Sequence, residues 1–379
     1  MSEKLVNKGY NGWAQLGILM GMCGVGIILA GIASLASWSV ITGRSPMTME
    51  ADIMNPSYAG AFKMIQFVST LFIFFLPALA WAFICYRNGM TALGFQNSAN
   101  IKIAGICILI LAASLPLIDW LSVVNKAIPL PATSRKYFEE IEKSYDDQVK
   151  VIGNVKTGGQ YVLSMLLIAL LPAIFEEAFF RGTIQNLLSR WKNNSIIYVI
   201  MVALLLVAVK IIWFPGINSW FFYGALLVIV MLVFRSHNLT DSLSRVTNHY
   251  LFPIVLTSIL FSAVHASWYG FIPRFVLGMI LGLVFYRTNN ILYNMVIHFI
   301  NNAVVITMMY VYAMQNKPVA NTDEQGFPSW AAIVSVVILF LLAKLLAKQK
   351  LEARPVEVFE DRNNPFNNTI FEDNNKEEL

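Results

Sequence analysis

Three short clusters place ionisable or amide side chains inside strongly apolar stretches. They are Phe175-Glu176-Glu177-Ala178-Phe179-Phe180-Arg181, Phe261-Ser262-Ala263-Val264-His265 and His298-Phe299-Ile300-Asn301-Asn302. An ionisable group at the centre of a membrane-spanning helix costs at least ~2.5–3.5 kcal/mol, so clusters of them ask for a functional explanation. In a helix Glu177 and Arg181, four apart, face each other, whereas Glu176 is turned by about 100° from Glu177. Arg181 then neutralises Glu177 and leaves Glu176 free. A carboxylate left free in a poorly solvated cavity is a competent general base near neutral pH. His265 shares a helical face with Phe261. His298 and Asn302, again four apart, point into one cavity, where an imidazole and a carboxamide can donate hydrogen bonds to a developing oxyanion.

Each cluster also has a plainer reading. The glutamates could simply end a span and pair with Arg181 and Arg190, His265 could be an interhelical hydrogen-bond partner, and His298 with Asn302 a polar network joining helices. These readings weaken together. Of the four histidines in the chain, the two within apolar stretches both fall in such clusters, while His237 and His249 lie in or beside a polar loop.

The elements that must position these residues follow from composition. Of 379 residues 57% are hydrophobic and 13% charged, against roughly 45–50% and about 25% in soluble domains. That surplus calls for a lipid solvent. A helix of about 20 apolar residues spans the hydrocarbon core with every backbone group satisfied. The apolar runs predict about ten spans, near 13–42, 62–86, 103–123, 161–180, 195–214, 220–234, 250–267, 271–286, 291–312 and 330–347. The expected fold is therefore all-α, a polytopic transmembrane helical bundle. With ten spans, Lys4, Lys8, Arg87, Lys102, Arg190, Lys192, Arg235, Arg245, Arg287, Lys344, Lys348 and Lys350 share one side. Enrichment of Lys and Arg marks that side as cytoplasmic, with both termini inside. The connector 124–160 argues back with Lys126, Arg135, Lys136, Lys143, Lys150 and Lys156.

Composition excludes several function classes. Cys23, Cys85 and Cys107 lie in apolar runs with neither disulfide nor metal-ligand spacing. The net charge of +5 is not gathered into one basic block, so anionic lipid is a better partner than nucleic acid. Residues 1–12 form a short polar N-terminus that precedes a retained first span. Within 124–160, Phe138, Ile141, Tyr145, Val149 and Ile152 make one apolar stripe, expected either along the outer membrane interface or on a solvated connector helix. Residues 348–379, rich in Glu, Asp and Asn, are expected to be a disordered cytoplasmic tail.

The ordered set E-E-x-x-x-R, F-x-x-x-H and H-x-x-x-N resembles the CPBP family of CAAX proteases and bacteriocin-processing enzymes, also called Abi proteins. The resemblance covers about 161–312, within a second-half membrane core, between N-terminal helices at 13–123 and a last span at 328–347. It implies intramembrane peptide hydrolysis by Glu-activated water, with Glu176, His265, His298 and Asn302 as catalytic residues and Glu177, Arg181 and Phe261 supporting the site. The run Phe275 to Gly282 before the third motif is also similar to the family, and its small-xxx-small spacing permits close helix packing. The resemblance requires no cofactor. Zinc is an alternative, because Glu176, His265 and His298 are plausible ligands, although no H-E-x-x-H pair is present. Two features depart from the family. The gap between the first and second motifs is longer than usual and looks like an inserted hairpin at about 195–234, and by counting His265 lies nearer the outer face than Glu176 or His298. Tilt, a break at Pro253 or a different span boundary could reconcile the depths.

The expected partners are a membrane-associated peptide or protein substrate and the lipid bilayer of a cell membrane. The sequence has a bacterial look, which makes a prenylated substrate a poor expectation. The competing reading is a transporter or membrane scaffold using the same Glu/His/Asn cluster as an ion relay or partner site. Lys210 and Asp119, near span ends, fit snorkelling to the interface better.

Overall fold

The computed structural model describes residues 4–96, 99–153, 155–190, 250–315, 326–349, 351, 355–360 and 370–372, with 222, 224 and 228. Seven of its helices are long and apolar enough to cross a membrane. They are α1 (Gly12–Thr42), α2 (Pro56–Cys85), α3 (Ile101–Ala127), α5 (Gly158–Arg190), α7 (Phe271–Thr288), α8 (Ile291–Met314) and α9 (Trp330–Ala347). Two shorter helices also bear on the site, the connector α4 (Ala132–Ile152) and the apolar α6 (Leu251–Ala263). The fold is a polytopic helical bundle. Of the ten spans expected, α6 replaces one with only 13 residues. The two of the hairpin 195–234 lie, but for 222, 224 and 228, outside the described residues.

Local sequence sets the helix ends. The Asn11 and Asn290 side chains accept from the backbone N–H groups of Ala14 and Leu292, capping α1 and α8. Thr157 and Gln160 form a reciprocal capping box at the start of α5. Asn289, at φ 50°, ends α7 in the left-handed region so that the chain can turn directly into α8.

Burial separates inner from outer helices. In α1 and α9 only 17% of the most apolar window is buried, whereas in α5 the share is 56%. Large apolar side chains such as Met20, Ile28, Ile333 and Val337 face outward. A surface of that kind suits lipid and not water. The central α5 carries the first motif. Two stretches of α5, Met165–Leu170 and Ala178–Gln185, are π-helical, as is Leu71–Phe75 in α2. These wider turns lie where α2 and α5 meet through rings: Phe75 stacks on Phe175 with centroids 4.7 Å apart, and Phe74 packs against Phe179 and Phe180 at 5.2 and 5.6 Å.

Helix association in lipid relies on close packing and interhelical hydrogen bonds. The glycines of α7 supply both. A Cβ at Gly278 would meet Ser258 at 3.0 Å, and one at Gly282 would meet Ile254 at 2.7 Å, so α6 lies directly on this glycine face. The same approach exposes the carbonyls of Gly278 and Gly282 to α5, where they accept from Arg181 Nη2 at 3.3 Å and Gln185 Nε2 at 2.9 Å.

Two expectations change. The apolar stripe of α4 meets neither open solvent nor only an interface but the protein itself. Phe138 packs on Trp268 at 4.8 Å, Tyr145 bonds Arg274, and Val149 and Ile152 join Ala169, Ile306 and Met309 in a core cluster. The tail 348–379, expected to be disordered, contributes two strands. β2 (Val356–Glu360) pairs in parallel with β1 (Lys4–Asn7) and antiparallel with β3 (Ile370–Glu372). The acidic average of the tail hides the run Val-Glu-Val-Phe-Glu, whose β-branched alternation buries Val358 against the bundle end.

Candidate active site

The first motif folds as the start of the second π stretch of α5, with Glu177 the last α-helical residue before it. Glu177 and Arg181 are both fully buried, and Arg181 Nη1 donates to Glu177 Oε1 at 2.8 Å. The guanidinium also lies 4.5 Å over the Phe261 ring, so its charge meets both a carboxylate and a π face. Buried charges persist only when paired and hydrogen-bonded, and this pair is.

α8 presents its residues to the same carboxylate. His298 Nδ1 lies 2.8 Å from Glu177 Oε1, and Asn294, one turn earlier, donates from Nδ2 to Glu177 Oε2 at 3.3 Å and to the Leu281 carbonyl at 2.7 Å. A carboxylate on Nδ1 fixes the ring and assigns the Nδ1 proton, which turns Nε2 toward the cavity. Nε2 faces Glu176 Oε2 at 3.8 Å. That oxygen is buried and accepts no hydrogen bond from any described residue. The order of groups is therefore Arg181, Glu177, His298, Glu176, with a single imidazole between two glutamates.

His265 arrives differently from its helical expectation. α6 ends at Ala263, two residues short of it, and the following Ala266 has φ 47°. The His265 ring turns back, with Nδ1 2.7 Å from the Phe261 carbonyl and its plane edge-on to the Phe261 ring at 5.0 Å. Phe261 in turn meets the His298 ring edge-on at 5.7 Å. The depth offset expected from counting shrinks to a step across one phenyl ring. The cause is the shortness of α6, not a break at Pro253, which lies in its first turn.

Residues 158–242 and 232–304 match the family model described as type II CAAX prenyl endopeptidase Rce1-like. That part of the chain is similar to the Rce1-like family. All three motif clusters fall inside it, and the match bears out the resemblance to the CPBP family read from the motifs. No curated protein and no solved structure is significantly similar to the chain. The finding supports a membrane-embedded hydrolase of the CAAX-protease type in general terms, in a multi-pass membrane protein.

Within the Rce1-like region, Glu176, Glu177, Arg181, Phe261, His265 and His298 are brought together. Asn302 sits one turn beyond His298, where its Oδ1 accepts from Asn301 at 3.4 Å. It makes no bond to the glutamates or histidines, and its amide N–H groups have no acceptor among the described residues. Among the described residues no three His, Cys, Asp or Glu side chains are placed to hold a metal ion, and the Phe261 ring packs against both His265 and His298. Asn294 is absent from the expected site residues, although its signal is legible: Asn294, His298 and Asn302 recur every four residues along one face of α8.

Proposed function

We propose that the chain is an intramembrane endopeptidase that hydrolyses membrane-associated peptides or proteins with Glu176 as general base. A water beside Glu176 gives its proton to the carboxylate as its oxygen attacks the peptide carbonyl carbon. The tetrahedral oxyanion accepts hydrogen bonds from the Asn302 amide and from His298 when Nε2 is protonated. The proton held by Glu176 then passes to the departing nitrogen as the C–N bond breaks, yielding a carboxylic acid and an amine. His265, with Nδ1–H given to the Phe261 carbonyl, keeps Nε2 as an acceptor that assists this transfer. Glu177, Arg181 and Asn294 hold His298 in register and do not touch the substrate. Both termini lie on the cytoplasmic side in this reading.

The observation that carries the proposal is the buried Glu176 Oε2, which has no donor among the described residues and faces His298 Nε2 at 3.8 Å. The test is cleavage of a quenched-fluorescent peptide library in liposomes by wild type and Glu176→Gln, with and without a chelator. Cleavage by wild type that the variant loses and the chelator leaves untouched is the expected result. Chelator sensitivity would overturn the water-activation step. A wild type that cleaves no peptide would overturn the protease reading in favour of an ion relay.

A further inference from the structure

Arg274, near the start of α7, is a charged group that the scheme above does not use. Its Nη2 donates to the Tyr145 hydroxyl at 2.7 Å, and its guanidinium lies 4.9 Å from the centre of the Tyr145 ring. Its Nη1 is buried and has no hydrogen-bond partner among the described residues. No carboxylate of those residues pairs with it, although its charge acts on both Glu176 and His265. The head group has a built seat. It lies so close over Gly270 that an added Cβ there would displace it, and the loop around it is braced by Ser267 donating to Glu142 at 3.0 Å.

A guanidinium presents donors in a planar fork that matches a carboxylate. Leaving one of its buried N–H groups unmade is costly, so the structure calls for an acceptor at Nη1. Tyr145, from the connector helix, fixes the other side of the fork and aims the free side. We propose that Arg274 is a specificity-determining residue of this site and receives a carboxylate of the substrate through Nη1. The carboxylate belongs either to a free C-terminus or to an aspartate or glutamate side chain. This deepens the endopeptidase reading and rests on it for the word substrate, but the binding it describes can be measured without turnover.

The experiment uses full-length protein in proteoliposomes and three hexapeptide libraries labelled at the N-terminus with the uncharged dansyl group. One has free C-terminal carboxylates and no acidic side chains, one has amidated ends and no acidic side chains, and one has amidated ends and a single aspartate. Wild type is expected to bind one of the two acidic libraries about tenfold or more tightly than the neutral one, as a charge-assisted pair provides. Preference for the free-acid library identifies a C-terminal carboxylate, and preference for the aspartate library a side chain. Arg274→Gln is expected to bring the ratio to about one, with binding of the neutral library unchanged. Arg274→Lys keeps the charge but loses the fork, so it should retain part of the preference. It also serves as the test if Arg274→Gln does not fold. Equal binding of all three libraries by wild type, no binding of any, or a preference that survives both substitutions overturns the proposal. Cleavage measured alongside separates the two readings. Discrimination without cleavage removes the hydrolase and leaves the carboxylate site, whereas Glu176-dependent cleavage without discrimination does the reverse.

Discussion

Replacing Arg181 by Met tests the central electrostatic claim of the site. The substitution keeps an unbranched side chain of similar length but removes the bond to Glu177 Oε1 at 2.8 Å, the bond to the Gly278 carbonyl at 3.3 Å and the cation over Phe261 at 4.5 Å. Glu177 is then a fully buried carboxylate held only by His298 and Asn294. Removing one partner of a buried ion pair costs about 3–5 kcal/mol, whereas replacing both by apolar or neutral groups is often close to neutral. Arg181→Met alone should therefore lower the unfolding temperature in detergent by on the order of 10 °C. The double variant Glu177→Gln/Arg181→Met should recover most of that loss. The double-mutant cycle then yields a coupling of about 2–4 kcal/mol, above the ~0.5 kcal/mol scatter of independent sites. Activity should not recover with stability, because a neutral amide at position 177 no longer supplies the anion that fixes the His298 ring. Equal unfolding temperatures for the single and double variants would refute the buried pair. A double variant with wild-type cleavage would refute the orienting role of Glu177.

Other consequences follow from the same geometry. Asn294→Leu removes a donor to the Glu177 carboxylate and should cost about 1.5–3 kcal/mol, with a fall in kcat larger than any change in KM; thermal unfolding and steady-state cleavage measure both. Gly282→Ala places a Cβ 2.7 Å from Ile254. It should destabilise by about 1–3 kcal/mol by pushing α6 off α7, and a double-mutant cycle with Ile254→Ala, which removes the Cγ2 that the new methyl meets, should show a relieving coupling in thermal unfolding. Tyr86→Phe removes the hydroxyl that lies 3.1 Å from Gln15 Oε1 and 3.2 Å from Glu357 Oε1. The expected cost is about 1–2 kcal/mol. Burial pushes the Tyr86 hydroxyl up to about 12 while Arg190 pulls it down. Its contribution is thus fully present below about pH 10, the ordinary tyrosine value, and fades as pH rises towards 12, because only the unfolded chain ionises in that window. The stability gap between wild type and Tyr86→Phe should stay flat below the window and narrow within it.

Much of this arrangement is written in the sequence, for reasons that differ by element. Long apolar runs and the Asn and Thr caps mark most of the spans, since lipid permits little but a helix. The pairing of Glu177 with Arg181 follows from four-residue spacing. The π-helical turns after Glu177 do not, because hydrophobic periodicity assumes about 3.6 residues per turn and a local widening leaves no compositional trace. The same assumption keeps His265 on a helix, whereas the chain leaves the helix at Ala263 and reaches back through the Phe261 carbonyl. Glu176 also has closer company than expected. Its angular separation from Glu177 is real, yet His298 is large enough to reach both carboxylates from another helix, a contact between residues 121 positions apart in the case of Glu177. The strand Val356–Glu360 is hidden by averaging over an acidic segment. Asn294 escapes notice because an amide in an apolar run draws less attention than a charge, although it continues the four-residue rhythm of His298 and Asn302.

The small sheet that joins the two ends of the chain has a consequence for how the protein is made. β1 leaves the ribosome well ahead of β2, since the Glu357 side chain that receives the Asn7 amide at 2.7 Å lies 350 positions later. At about 5–20 residues per second, β1 waits on the order of 20–70 s with an unpaired edge. During that interval the helices must already be inserting. The pairing of β1 with β2 is therefore a late step of biosynthesis, available only to a nascent chain whose intervening helices have brought the two strands to one side of the membrane.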